Sequence, residues 1–135
     1  MINYSRDVYY YETDKMGIVH HSNYIRILEE ARMYALDKMG HNFKSIEDTG
    51  LVSPVVSVEC RYIHPLQFGD TFEVHVFTGK CSPATFNLEY EIYCGDTLCA
   101  KGKTSHCFTG ENGRPVNMKK AMPEFLEDLM KYTRD

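Results

Sequence analysis

The chain has 135 residues, 43% hydrophobic and 25% charged, a balance that fits one globular domain over residues 1–135 with an ordinary apolar core and excludes a disordered tail. Nineteen acidic against fifteen basic residues give a formal charge of -4, and with no block of like charge this excludes nonspecific nucleic-acid binding. Five cysteines, odd in number and without C-x-x-C pairing, read as reduced thiols of a cytoplasmic protein, and no apolar run suits a signal peptide or a membrane span.

In chain order, residues 6–12 (RDVYYYE) are rich in β-formers and predict a first strand, ended by the polar turn Thr13 to Gly17. From Asn23 onward Tyr24, Ile27, Leu28, Ala31, Ala35 and Met39 recur at spacings of three and four. This predicts about five turns of helix, with Ser22 or Asn23 as cap and Gly40 past its end. A connecting segment, 41–50, leads to four consecutive antiparallel strands within 51–110, broken at 65–70, 79–83 and 95–96. The alternation is clearest where Phe86, Leu88, Tyr90 and Ile92 oppose Asn87, Glu89 and Glu91. Pro123 opens a short closing helix with apolar Phe125, Leu126, Leu129 and Met130. Strand, long helix, four-stranded meander and short helix predict an α+β domain in which one antiparallel sheet wraps a single central helix. Its open sheet edges predict pairing with a second copy.

The densest cluster of unusual residues runs from Tyr11 to Tyr24. It places Asp14 on a glycine-containing loop directly before the long helix. First-turn N–H groups and the aligned peptide dipoles of a helix favour negative charge, including the oxyanion formed when a carbonyl is attacked, so this pattern points to acyl transfer. The same residues also admit a plainer reading, with Asp14 as a turn residue and Ser22 or Asn23 as a cap. His20 and His21 are adjacent but lack a third ligand, and His41, His64, His75 and His106 show no ligand spacing, so no metal site is expected. His106 and Cys107 are strand neighbours facing opposite ways, which rules out a dyad and leaves the cysteines as inert core groups.

The stretch Val8 to Arg32, V-Y-Y-Y-E-T-D-K-M-G-I-V-H-H-S-N-Y-I-R-I-L-E-E-A-R, resembles the signature of hotdog-fold acyl-CoA thioesterases. It is most similar to the hydroxybenzoyl-CoA thioesterase family and its Tol-Pal-associated branch. The likeness rests on T-D-x-x-G-[IV]-V followed by H-x-x-Y and E-x-A-R, and the Phe68-Gly69-Asp70 turn agrees with it. It implies a hotdog fold and hydrolysis of an acyl-CoA to free acid and CoA, with no cofactor and no metal. Asp14 would be nucleophile or general base, and the His21 backbone amide would polarise the carbonyl. Gly17, Val19, His20 and Tyr24 would line the substrate site, while Glu30 and Arg32 would be structural. His20 stands where relatives carry Tyr or Phe, which bears on the shape of the acyl or pantetheine channel. A homodimer or homotetramer with sites between protomers is implied too. Arg61, Lys101, Lys103, Arg114, Lys119 and Lys120 are the candidates for contacting CoA phosphates. The alternatives are a noncatalytic acyl-CoA-binding or regulatory hotdog domain, against which Asp14 argues, and a hotdog dehydratase, of which His64-Pro65 is the nearest trace.

Overall fold

Apolar and polar residues alternate through the two longest strands, and this decides which face of the sheet is covered. In the computed structural model, described over residues 1–134, β3 (Thr71–Cys81) buries Phe72, Val74, Val76 and Thr78. Beside it β4 (Phe86–Cys94) buries Phe86, Leu88, Tyr90 and Ile92 on the same side, with Val76 opposite Tyr90 and Thr78 opposite Leu88. With β1 (Ile2–Asp7), β2 (Val55–Tyr62) and β5 (Thr97–His106) they form one antiparallel sheet in the order β1-β3-β4-β5-β2. The long helix α1 (His21–Lys38) turns Tyr24, Ile27, Leu28, Ala31, Ala35 and Leu36 into the same core. Gly102 marks how closely α1 approaches β5: a Cβ at this position would lie 2.7 Å from Cδ1 of Leu28.

Several expectations are corrected. The first strand covers 2–7, not 6–12, and Tyr10 to Glu12 form a 3-10 turn. Three successive tyrosines have β propensity, but Glu12 overrides it by accepting the Tyr9 N–H at 2.8 Å and closing the turn, which leaves Tyr10 and Tyr11 exposed. The last four strands are not a meander. Only β3, β4 and β5 follow one another as neighbours, while β2 crosses to the far edge and pairs with β5. All of β2 except Cys60 is exposed, so it carries no one-sided pattern to announce its place. The connecting segment holds a short helix, α2 (Phe43–Glu47), capped by Asn42, whose side chain accepts the Ser45 N–H at 2.9 Å. The tail divides into α3 (Met118–Ala121) and α4 (Pro123–Leu129), with Pro123 opening α4 as expected.

One ion cluster braces β1, the 3-10 turn and α1 against each other. Arg6 donates two bonds to Glu12, at 2.8 and 2.7 Å, and two to Glu30, at 2.7 and 3.1 Å; the Tyr4 hydroxyl donates to Glu30 at 2.8 Å. Burial works to raise the Glu12 carboxyl, but the Arg6 guanidinium and the Tyr9 N–H outweigh it and hold it below the usual carboxylate range. Burial and the Glu30 carboxylate push the Tyr4 hydroxyl up to about 12. Glu30 and Arg32 therefore serve different networks, since Arg32 turns to Glu29, at 2.6 Å, and into the core. Among the described residues, no helix is long and apolar enough to cross a membrane.

Candidate active site

The loop before α1 is tied to the body of the protein at every step. Thr13 bridges to Val19 and Ile18 to Gln67. The Val19 N–H donates to the Leu66 carbonyl, and the His20 N–H to the Glu12 carbonyl, both at 2.8 Å. Inside this frame the Asp14 N–H donates to the Ile18 carbonyl at 2.9 Å and the Gly17 N–H to the Asp14 carbonyl at 3.0 Å. Gly17 has φ +77°, a conformation only glycine adopts without strain. Oδ1 of Asp14 accepts the Met16 N–H at 2.8 Å, so the turn itself aims the carboxylate and leaves Oδ2 without a partner among the described residues.

The helix starts earlier than its apolar spacing predicts. His20, in extended conformation, is the N-cap in place of Ser22 or Asn23; its Nδ1 accepts the Ser22 N–H at 3.3 Å. Asn23 instead donates its side-chain amide to the Glu12 carbonyl at 2.9 Å, fastening the first turn of α1 to the 3-10 turn. His21 is thus the first helical residue, where geometry provides no intrahelical acceptor for the N–H. Among the described residues none is assigned to it.

Beside this terminus lies a cleft of about 420 Å³. Of the six residues named in advance, Asp14, Val19, His21 and Tyr24 line it; Gly17 and His20 do not. Gly17 shapes the turn. The His20 ring is exposed and lies against that of His21, centroids 4.2 Å apart, so within one chain it caps the helix and does not form the channel wall. Tyr24 is buried, its hydroxyl accepts the Leu66 N–H at 3.3 Å, and burial pushes its pKa up.

The sequence reading did not attach the opposite wall to the Asp14 site, having singled out only His64-Pro65, and that as the nearest trace of a dehydratase. The wall consists of Tyr62, Ile63, His64 and Pro65, the end of β2 and the residues after it. The Tyr62 hydroxyl donates to the His21 carbonyl at 3.1 Å, and its ring meets Tyr24 edge-on at 5.0 Å. The sequence signal was the interruption of β patterning that opens at Pro65, but nothing local says that the residues leading into it fold back beside Asp14.

Among the basic candidates, Arg61, Lys101 and Lys103 come together in a shallow depression of about 370 Å³ on β2 and β5. Glu59 and Glu89 stand opposite Lys103, and Glu91 opposite Lys101, so acidic partners balance the group. Arg114, Lys119 and Lys120 lie outside that depression. Among the described residues, no three His, Cys, Asp or Glu side chains converge as metal ligands.

An antiparallel sheet curled around one long helix, with a carboxylate-bearing cleft at the helix N-terminus, defines a hotdog-fold thioester hydrolase. The chain belongs to the thioesterase-like superfamily, whose sequence profile matches residues 8–130. It is 41% identical over 125 residues to an Aquifex aeolicus protein named "Putative esterase", covering 93% of this chain and 97% of that one. It is 34% identical to the Bacillus subtilis "Putative acyl-CoA thioesterase YneP", covering 88% of each. The solved structure of the DHNA-CoA thioesterase from Staphylococcus aureus superimposes with a TM-score of 0.89 at 26% identity, over 96% of this chain and 88% of that one.

Proposed function

We propose that the protein is an acyl-CoA thioesterase that releases free acid and CoA, with Asp14 as nucleophile or general base and the His21 amide as oxyanion donor. The observation that carries this reading is that the Asp14 carboxylate and the N-terminus of α1 face one cleft. A thiol leaving group, with a pKa near 8.5, needs far less protonation than an alkoxide or an amine, so a carboxylate and an oxyanion hole suffice. One such donor is worth roughly 3–4 kcal/mol. The acyl-CoA thioesterase name of the Bacillus relative and the CoA-thioester substrate of the Staphylococcus enzyme support the substrate class. Within the superfamily we place the chain with the hydroxybenzoyl-CoA thioesterases and their Tol-Pal-associated branch, on the T-D-x-x-G-[IV]-V, H-x-x-Y and E-x-A-R motifs.

The working unit in this reading is a homodimer or homotetramer of single hotdog domains. Support comes from the exposed edge strand β2, with Val56, Val58 and Tyr62 accessible, and from Ile25 and Met33 exposed on α1. Five free cysteines suit a reducing cytoplasm. The test is free-thiol release from a panel of aliphatic and aromatic acyl-CoAs, by the wild type and by Asp14→Asn. Turnover by the wild type that falls about a hundredfold or more in the variant is expected. Undiminished hydrolysis by Asp14→Asn removes the assignment, and saturable acyl-CoA binding without any hydrolysis makes the protein a noncatalytic binder.

A further inference from the structure

The cleft contains an imidazole to which the reaction above gives no task. His64 follows β2 directly, and its backbone is held in place: the Ile63 and His64 N–H groups both donate to the Cys99 carbonyl, at 2.9 and 3.0 Å. Its side chain is held as well, with Nδ1 lying 3.0 Å from the Pro65 carbonyl oxygen. A carbonyl only accepts, so Nδ1 carries the proton of the neutral ring and Nε2 keeps a lone pair. Among the cleft's ionisable side chains, His64 is the one whose backbone contact prepares it to take a proton. The His21 ring packs on His20, and burial keeps the Tyr24 hydroxyl protonated.

We propose that His64 is the base of the second half of a two-step hydrolysis, an inference that rests on the thioesterase reading and selects the nucleophilic route within it. A carboxylate oxygen of Asp14 attacks the thioester carbonyl, the C–S bond breaks, and CoA leaves as thiolate from an acyl–Asp14 anhydride. Once acylated, Asp14 has no carboxylate with which to activate water, so a second acceptor is required. Water adds to the acyl carbon as its proton passes to His64 Nε2. The bond from that carbon to the Asp14 oxygen then breaks, giving free acid and the restored carboxylate. The imidazolium hands its proton to the CoA thiolate.

Rapid-mixing measurements of thiol release, on whichever acyl-CoA of the panel the wild type turns over fastest, test this with His64→Ala and His64→Gln. The expected result is a burst of about one thiol per active site at the wild-type rate, followed by steady turnover slowed about a hundredfold. Mass spectrometry should find the acyl group on the peptide containing Asp14, and added imidazole should restore turnover to His64→Ala. Glutamine can still donate to the Pro65 carbonyl but cannot act as a base, so it should behave like alanine; recovery in His64→Gln assigns the side chain a structural role and overturns the proposal. Steady turnover within twofold of wild type, or a loss with neither burst nor imidazole rescue, overturns it too. Each of these outcomes leaves the thioesterase reading standing, whereas absence of thiol release by the wild type overturns both.

Discussion

His106 and His64 occupy two regions of the same molecule under opposite conditions. His106, at the end of β5 beneath the middle of α1, has no solvent exposure and both ring nitrogens are used. Arg32 donates to Nδ1 at 2.9 Å, which leaves the proton on Nε2 to be donated to the Thr104 hydroxyl at 2.7 Å; Tyr90 joins at the same hydroxyl, also at 2.7 Å. Burial, and then the Arg32 charge, press the imidazole pKa down to about 3, so the ring stays neutral. His64 is exposed and has one nitrogen committed and one spare. A polar group with every valence satisfied away from water supports the fold, and one held in a single orientation with a valence left over is available for chemistry.

That contrast can be broken by measurement, and the buried region should respond most. Arg32→Ala strips the neutral His106 ring of its charged donor and is expected to cost about 2–3 kcal/mol in urea denaturation. Asp14→Asn and His64→Ala should stay within about 0.5 kcal/mol of wild type. A large stability loss at Asp14 would erase the distinction between the regions. Next in size is Gly102→Ala, whose new Cβ meets Leu28 at 2.7 Å. A loss of about 1–3 kcal/mol is expected, and a neutral outcome would mean that α1 shifts freely over β5.

Acid should weaken the fold through His106. The folded pKa of His106 lies below its ordinary value near 6.5, so from about 6.5 down to about 3 the unfolded chain binds the extra proton. Stability from this residue is therefore complete above that window and falls as pH drops through it, by up to about 1.4 kcal/mol per pH unit. Denaturation midpoints across the window should fall less steeply in His106→Gln than in the wild type, and parallel curves would contradict the assignment. A smaller loss is expected at His20→Ala, where removal of the cap on α1 should cost about 1 kcal/mol by the same denaturation assay.

Local pattern shows through in some parts of this fold and not in others. The alternation of Phe86, Leu88, Tyr90 and Ile92 and the helical spacing of Ile27, Leu28 and Ala31 are one-sided burial written directly into residue order. The strand expected over residues 6–12 fails beyond Asp7 because Glu12, three residues from the Tyr9 N–H, competes for the backbone with a half-buried guanidinium behind it. The far-edge position of β2 is set by pairing with residues some forty positions later and leaves no periodic trace. For the site, Asp14 and His21 are seven residues apart and visible as a unit. Tyr62 and His64 join them only after β2 has found its partner, which residue order alone does not specify.

The Asp14 turn has a consequence for how specificity can diverge. The carboxylate is aimed by the Met16 backbone N–H and by a closed ring of main-chain bonds, not by neighbouring side chains. The side chains of Met16, Ile18 and Ile63 therefore border the Asp14 carboxylate in the cleft without steering it. Exchanging them can reshape the cleft while the Asp14 carboxylate keeps its heading, so under the proposed thioesterase reading selection can alter which acyl group is accepted without turning the acid.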